Sequence, residues 1–402
     1  MKYLIYAGWL KPNQIIGYLY IEKQNGSNVC SFEYDNNWLK HNAIMFDPEI
    51  ELFPGRQYSN SGLFGFLKDI SPDRWGRLLL DRSEENISKK ENRKPKKLDD
   101  IDYLLRINDS LRSGGIRIKD ENNNYISNDN TSVPPLSSLR KIEDISYRFE
   151  NNIIDDETLK ILLNPGSSLG GARPKANVID ENNEYWIAKF PSKNDDYDVE
   201  GFEAVALELA SMCKIEIPSF KLERFNKRGS TLLVKRFDRI KSNRIHYVSA
   251  MTLLNKKDGE EASYLDIADA IVRYSNEPKK DLEELFKRMI FNMAISNTDD
   301  HLRNHGFVLV DNYFRLSPIF DINPSIYGDS LSLSIDGYNK EISFANAESV
   351  AEMFMLSKEK AIRIINNTKN VVNDNWKKLT KKYGISNDEI KRIEPAFEYC
   401  KK

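Results

Sequence analysis

Asn297-Thr298-Asp299-Asp300-His301-Leu302-Arg303-Asn304, followed further on by Phe320-Asp321-Ile322, is the stretch on which the reading of the fold turns. An Asp, an Asn five positions later and a second Asp beyond two short strands form the acidic half of a phosphoryl-transfer site. The first Asp can accept a hydroxyl proton, and the Asn and the later Asp can hold magnesium on a nucleoside triphosphate. Residues 307–310 and 313–316 read as a hairpin across Asp311-Asn312, which would return Asp321 to the side of Asn304. The step to Asn304 selects Asp299 over its neighbour Asp300 as the base. His301 and Arg303 stand where they would steer phosphates. A helix-capping aspartate and unrelated turn residues would account for one member of this set, but not for all three in this order.

Working outward, residues 264–274 and 282–295 carry apolar side chains at three- and four-residue spacing and are predicted to be helices. Upstream the pattern changes. A helical segment at 156–163 leads into Asn164-Pro165-Gly166-Ser167-Ser168-Leu169-Gly170-Gly171-Ala172-Arg173-Pro174-Lys175, read as a glycine-rich loop. Its glycines would let the backbone approach phosphates closely. Strands follow at 176–180 and 184–190, with Asn182-Asn183 as the turn, then a helix at 199–212 and strands at 220–225 and 231–237. By itself such a loop is more often only a tight turn, and Lys189 by itself an edge-strand surface lysine. Together they place Lys189 against the α- and β-phosphates of a nucleotide. Glu200 and Glu203, on the next helix, both remain able to orient Lys189. The backbone of Lys235-Arg236-Phe237 could meet an adenine edge, or be an ordinary strand end.

Residues 2–7, 14–22 and 29–34 read as strands separated by polar turns such as Asn25-Gly26. Ser71 and Pro72 are predicted to open a helix that buries Trp75. Residues 83–100 are strongly charged and read as a solvated loop or helix face. Residues 119–138, with three consecutive asparagines and Pro134-Pro135, read as an exposed loop. The expected fold class is therefore α+β and two-lobed, like a protein kinase, with a nucleotide between a β-rich N-terminal lobe and a mainly helical C-terminal lobe. The expected divisions are a small β-rich subdomain at 1–60, the rest of the N-lobe at 61–240 and the C-lobe at 241–402.

The 402 residues hold 59 Lys plus Arg against 61 Asp plus Glu, a formal charge of −2, so no general basic character points to nucleic acid. Cys30, Cys213 and Cys400 are too far apart to suggest a disulfide framework, and with four histidines they show no zinc spacing. No Ser-His-Asp arrangement stands out, which leaves hydrolase readings without support. No run approaches the roughly 20 apolar residues of a membrane helix. A soluble cytoplasmic protein with no membrane partner is the expectation.

These residues resemble the HipA-type bacterial serine/threonine kinases, the toxin halves of toxin–antitoxin pairs. The resemblance rests on Ser168 to Lys175, Ala188-Lys189-Phe190-Pro191, Arg236-Phe237-Asp238-Arg239, residues 264–275, the Asn297–Asn304 stretch and Ser317-Pro318-Ile319-Phe320-Asp321-Ile322. Pro72-Asp73-Arg74-Trp75-Gly76-Arg77 and Arg112-Ser113-Gly114-Gly115-Ile116-Arg117 extend it over nearly the whole chain. The resemblance implies Asp299 as catalytic base, and Asn304 and Asp321 as magnesium ligands. It implies ATP phosphates on Lys189 and on the loop through Gly170, Gly171, Ala172, Arg173 and Lys175, with His301 and Phe320 counted in the nucleotide site. Lys235, Arg236 and Phe237 would line the adenine. It further implies autophosphorylation of a loop serine, Ser168 or the adjacent Ser167, which would eject the loop and silence the enzyme. A phosphoserine brings about −1.5 to −2 charges next to the ATP phosphates. The implied partners are a helix-turn-helix (HipB-like) antitoxin, DNA only through that antitoxin, and a protein substrate such as an aminoacyl-tRNA synthetase. The loop departs from the family's best-studied pattern at Gly170 and at Arg173-Pro174. A silenced kinase fold serving in an antitoxin–DNA repressor complex, and a small-molecule kinase, are the other readings.

Overall fold

The computed structural model describes residues 1–24, 26–42, 44–127 and 133–401. Asn25 of the expected Asn25-Gly26 turn, and residues 128–132 of the expected 119–138 loop, lie outside the described residues. The chain forms two compact units, residues 1–194 with 235–248, and residues 195–234 with 249–402.

The first unit begins with an antiparallel sheet in the order Gln57–Tyr58, Ser27–Tyr34, Gln14–Gln24, Lys2–Ala7, Ile116–Lys119. Alternation makes it one-sided: Tyr3, Ile5 and Ala7 are buried while the residues between them are half-exposed. Phe32 sits at the centre of an aromatic cluster, edge-on to Tyr34, Phe46, Phe64 and Phe66 at centroid distances of 5.1 to 6.4 Å. Such pairs contribute about 0.5–1.5 kcal/mol each beyond burial.

The helix expected from Ser71 runs instead over Arg74–Lys90, with Asp73 as its N-cap. The Ser71 hydroxyl is engaged elsewhere, donating to the Leu67 carbonyl at 2.7 Å, whereas the Asp73 carboxylate accepts from Arg74 N–H at 2.8 Å. Trp75 is buried as expected, its ring edge-on to Phe149 at 5.4 Å. The charged stretch after it is not all solvated. Glu84 is buried and paired with Arg93 at 2.6 Å and Arg106 at 2.9 Å.

A second helix, Asp156–Ser167, packs in the same unit and reaches further than expected, taking in Asn164, Pro165 and Gly166. Pro165 lacks a donor, but its carbonyl, an orphan acceptor at the helix end, receives Asn177 Nδ2 at 3.1 Å. Lys175–Ile179 and Tyr185–Lys189 then pair antiparallel around Asn183, whose φ of 60° suits a tight turn. Behind them lies a buried ionic group. Asp238 accepts from Arg236 at 2.6 Å, Arg239 at 3.0 Å and Gly114 N–H at 2.7 Å. Burial would push its carboxyl up, but the two guanidinium groups outweigh this and hold it below the usual carboxylate range.

The second unit is built on helices. Val199–Met212, at its expected bounds, is apolar almost all round and correspondingly buried. Its core joins Leu207, Leu209, Leu232, Phe291, Ile295, Val372 and Trp376, with Trp376 stacked on Phe397 at 4.3 Å. Residues 220–223 pair antiparallel with 231–234. Tyr264–Tyr274 also has its expected bounds, opened by a Ser263–Asp266 capping box. Pro278–Ala294 starts earlier than expected because Pro278 is accommodated in its first turn. Among the described residues, no helix is long and apolar enough to cross a membrane.

Candidate functional site

The acidic stretch sits where the Pro278–Ala294 helix stops. Ser296 takes a left-handed φ of 51°, and Asn297 N–H closes back on the Asn292 carbonyl at 2.8 Å. The chain then folds on itself in two tight turns: His301 N–H donates to Asp299 O at 3.0 Å, and Asn304 N–H to His301 O at 2.9 Å. The Asn304 side chain reinforces the fold, Nδ2 donating to Asp299 O at 3.0 Å. Gly306–Val310 and Tyr313–Leu316 form the expected hairpin. Asp311 and Asn312 both have positive φ, 49° and 67°, as a type I′ turn requires.

The two adjacent aspartates are in opposite circumstances. Asp300 is buried and accepts from Tyr264 Oη, from Asn292 Nδ2 at 2.7 Å and from His305 Nε2 at 2.9 Å. Burial alone would raise its carboxyl, but His305 and the hydrogen-bond donors hold it below its ordinary value. Asp299 is accessible to solvent. Its carboxyl is raised by partial loss of hydration and by the neighbouring carboxylates of Asp321 and Asp300, against the opposing pull of His301. The Asp321 charge is thus within range of Asp299, on a residue that itself adopts a left-handed φ of 56°. Strained non-glycine backbone of this kind collects at functional sites.

The residues present fit magnesium as a shared ion. With Nδ2 of Asn304 committed to Asp299 O, its carbonyl oxygen is the atom left to meet a hard cation. Among the described residues no three His, Cys, Asp or Glu side chains form a cage on their own. Asn304 and Asp321 would therefore hold the ion together with phosphate oxygens and water.

In the first unit, the candidate loop closes tightly. Ser167 and Ser168 are both buried at the end of their helix, and Ser168 Oγ accepts from Asn177 Nδ2 at 3.0 Å. Gly170 and Ala172 are exposed, while Arg173 is half-buried. Gly171 has a φ of 81°, which favours glycine whatever the space, and Lys175 Nζ lies 2.5 Å from where its Cβ would be. Lys175 and Lys189 stand directly opposite each other on the paired strands.

The adenine-side candidates divide. Lys235 Nζ lies 3.3 Å from Glu184. Arg236 points into the buried ionic group, bound to Asn177 Oδ1 at 2.6 Å and Leu111 O at 3.0 Å besides Asp238. Its guanidinium is thus built into the core that backs Ser168. Phe237 is half-buried against Tyr247, and Phe320 is half-buried beside Asp321.

Several supporting residues were not singled out from sequence: Asn177, Tyr264, Asn292 and His305. Tyr264 reaches Asp300 from 36 residues away, whereas Asn292 and His305 lie 8 and 5 residues from it and Asn177 lies 9 from Ser168, at spacings that match no motif. A polar Asn177 between the apolar Ala176 and Val178 is the one local hint.

Comparison with known proteins agrees with the family resemblance. A Shewanella oneidensis MR-1 HipA, solved with HipB and its operator DNA, superposes with a TM-score of 0.71 at 15% identity, over 99% of this chain and 96% of that one. The likeness shows the fold: α+β, two-lobed and of the HipA, kinase-like type. A Haemophilus influenzae protein named "Putative kinase" is 26% identical over 202 residues, 43% of this chain. The aligned part spans 59% of that relative's length. The model of the HipA-like C-terminal domain matches residues 167–376, just over half of the chain, and the chain accordingly belongs to the HipA-like family.

Proposed function

We propose that this chain is an ATP-dependent serine/threonine protein kinase that acts as a growth-inhibiting toxin. Asp299 serves as the base, Asn304 and Asp321 hold magnesium, and Lys175, Lys189 and the glycine loop hold nucleotide phosphates. The observation that carries this reading is the separation of the two aspartates. Asp300 is locked in the core, which leaves Asp299 accessible beside Asp321, with Asn304 folded onto its backbone. Magnesium, when bound, supplies charge neutralisation on the phosphates.

The partner and substrate follow by family. The Shewanella HipA was solved with HipB and operator DNA. A helix-turn-helix antitoxin of that kind is the proposed restraint here, with DNA reached only through it. A translation component such as an aminoacyl-tRNA synthetase is the proposed substrate, and the cytoplasm the proposed location. All three cysteines are buried without disulfides, which suits a reducing compartment.

The test is mass spectrometry of the intact protein and its peptides after incubation with Mg-ATP, beside Asp299→Ala. A phosphate gained by the wild type alone is the expected result. No gain, with no phosphate already present, would shift weight to a silenced binding module. The expected acceptor is Ser168, and Ser168→Ala should remove that phosphate from the peptide map. An unchanged map would move the assignment to Ser167. Because both serines are buried, either can be modified only after the last turn of its helix opens.

The rate should also depend on pH in a defined direction. A base works ionised, and the Asp299 carboxyl is raised above its ordinary 3.8. Transfer should therefore rise with pH through an acid limb lying above 3.8. In the metal-free protein, Asp321→Asn removes one of the raising charges and should move the titration of the Asp299 carboxyl, followed by NMR, to lower pH. A titration that does not move would show that the Asp321 charge is not felt at Asp299.

A further inference from the structure

The Pro72-Asp73-Arg74-Trp75-Gly76-Arg77 motif has no part in the chemistry above, yet it meets the glycine loop at both ends and in the middle. In the middle, Gly171 N–H donates to Asp73 Oδ2 at 2.9 Å, and Gly171 O accepts from Trp75 N–H at 3.1 Å. At the far end, the Trp75 indole N–H donates to Lys175 O at 3.0 Å. At the near end, an ideal Cβ on Gly76 would lie 2.4 Å from Ser167 O, so the helix can approach the serine only because residue 76 is glycine. Asp73 performs two tasks with one carboxylate. Oδ1 caps its own helix through Arg74 N–H at 2.8 Å, and Oδ2 takes Gly171 N–H. The rim of a helix is a rigid mount, and three attachments along nine loop residues fix the loop's shape before any ligand arrives.

We infer that Asp73, Trp75 and Gly76 are positioning residues that dock the glycine loop and keep Ser167 and Ser168 buried. They act on the nucleotide only through the loop. Gly171 is the pivot: its left-handed backbone presents N–H and C=O to the dock together, so its amide serves the loop's shape. The effect on ATP rests on the reading of this loop as a phosphate holder, but the docking itself does not.

The experiment is hydrogen–deuterium exchange on the full-length protein without nucleotide, followed in peptides covering residues 167–175. Asp73→Ser keeps a good N-cap but is too short to reach Gly171. Trp75→Phe keeps a ring in the core but removes the indole donor. Loss of a charge-assisted hydrogen bond should speed loop exchange in Asp73→Ser about tenfold or more. Trp75→Phe should show a smaller rise, and exchange in the Pro278–Ala294 helix should stay at the wild-type rate. Asp73→Asn keeps the reach but has one acceptor oxygen for the N–H groups of Arg74 and Gly171, so its loop exchange should fall between those of wild type and Asp73→Ser. In turnover, Asp73→Ser should raise KM for ATP more than it lowers kcat. Loop exchange at the wild-type rate in both Asp73→Ser and Trp75→Phe would overturn the dock. Exchange needs no catalysis, so a wild type that never transfers phosphate would defeat the kinase reading and leave the dock standing.

Discussion

Asp299→Ala is expected to lower phosphoryl transfer by about two to four orders of magnitude, the range a positioned general base contributes. The substitution should cost the fold little. The Asp299 side chain is accessible to solvent, and the bonds that close the loop use its backbone carbonyl, which accepts from both His301 N–H and Asn304 Nδ2. A truncated side chain leaves both bonds in place. Asp299→Asn should fall nearly as far in rate, because an amide has the shape of the carboxylate but cannot take the proton. Initial rates with Mg-ATP, measured beside thermal melting of the same samples, decide the matter. Melting at the wild-type temperature with rates down a hundredfold or more is the expected result. Transfer retained in Asp299→Ala would remove this residue as the base.

The parts of this molecule that could be read in advance are those whose cause is local. Tyr264–Tyr274 lies where periodicity puts it, because apolar spacing and an N-cap decide it, and Val199–Met212, apolar almost all round, is opened by its Asp198 N-cap. The hairpin that leads to Asp321 was legible because Asp311-Asn312 is a turn that tolerates positive φ at both positions. The glycine loop was harder. Pro165 and Gly166 are strong breaking signals, and they are overridden at the last turn by a bond from Asn177, twelve residues on. The start of the Arg74–Lys90 helix was misplaced by two residues because Ser71 and Asp73 are equally good caps in sequence. Only the structure shows the Ser71 hydroxyl already spent on Leu67. The choice between Asp299 and Asp300 rests on spacing and on the family resemblance. What separates them physically is a set of groups up to 36 residues away.

That set carries the largest stability effect expected here. Asp300→Ala should destabilise the protein by about 3–5 kcal/mol, the usual consequence of removing one partner from a buried, hydrogen-bonded charge. The loss would strand three buried donors at once, Tyr264 Oη, Asn292 Nδ2 and His305 Nε2. The damage would spread to both sides of the acidic loop. Asn292 also accepts from Asn297 Nδ2 at 3.1 Å, and the His305 carbonyl holds Ala250 N–H at 2.8 Å. Tyr264→Phe removes a single donor and leaves the carboxylate with two, so a smaller loss of about 1 kcal/mol is expected. The pH dependence has a definite sign. The Asp300 carboxyl lies below its ordinary 3.8 in the folded state, so its contribution is complete above that value and disappears as pH falls through the lower, folded pKa. Denaturant titrations of wild type and Asp300→Ala near neutrality and again in this acid range should therefore differ widely at the first pH and converge at the second. If Asp300 were the base, its replacement would abolish transfer and leave the melting curve where it was. A stable, inactive Asp300→Ala would reverse the assignment of the two aspartates. An unstable one in which the folded fraction still transfers phosphate would establish Asp300 as the anchor that holds Asp299 in place.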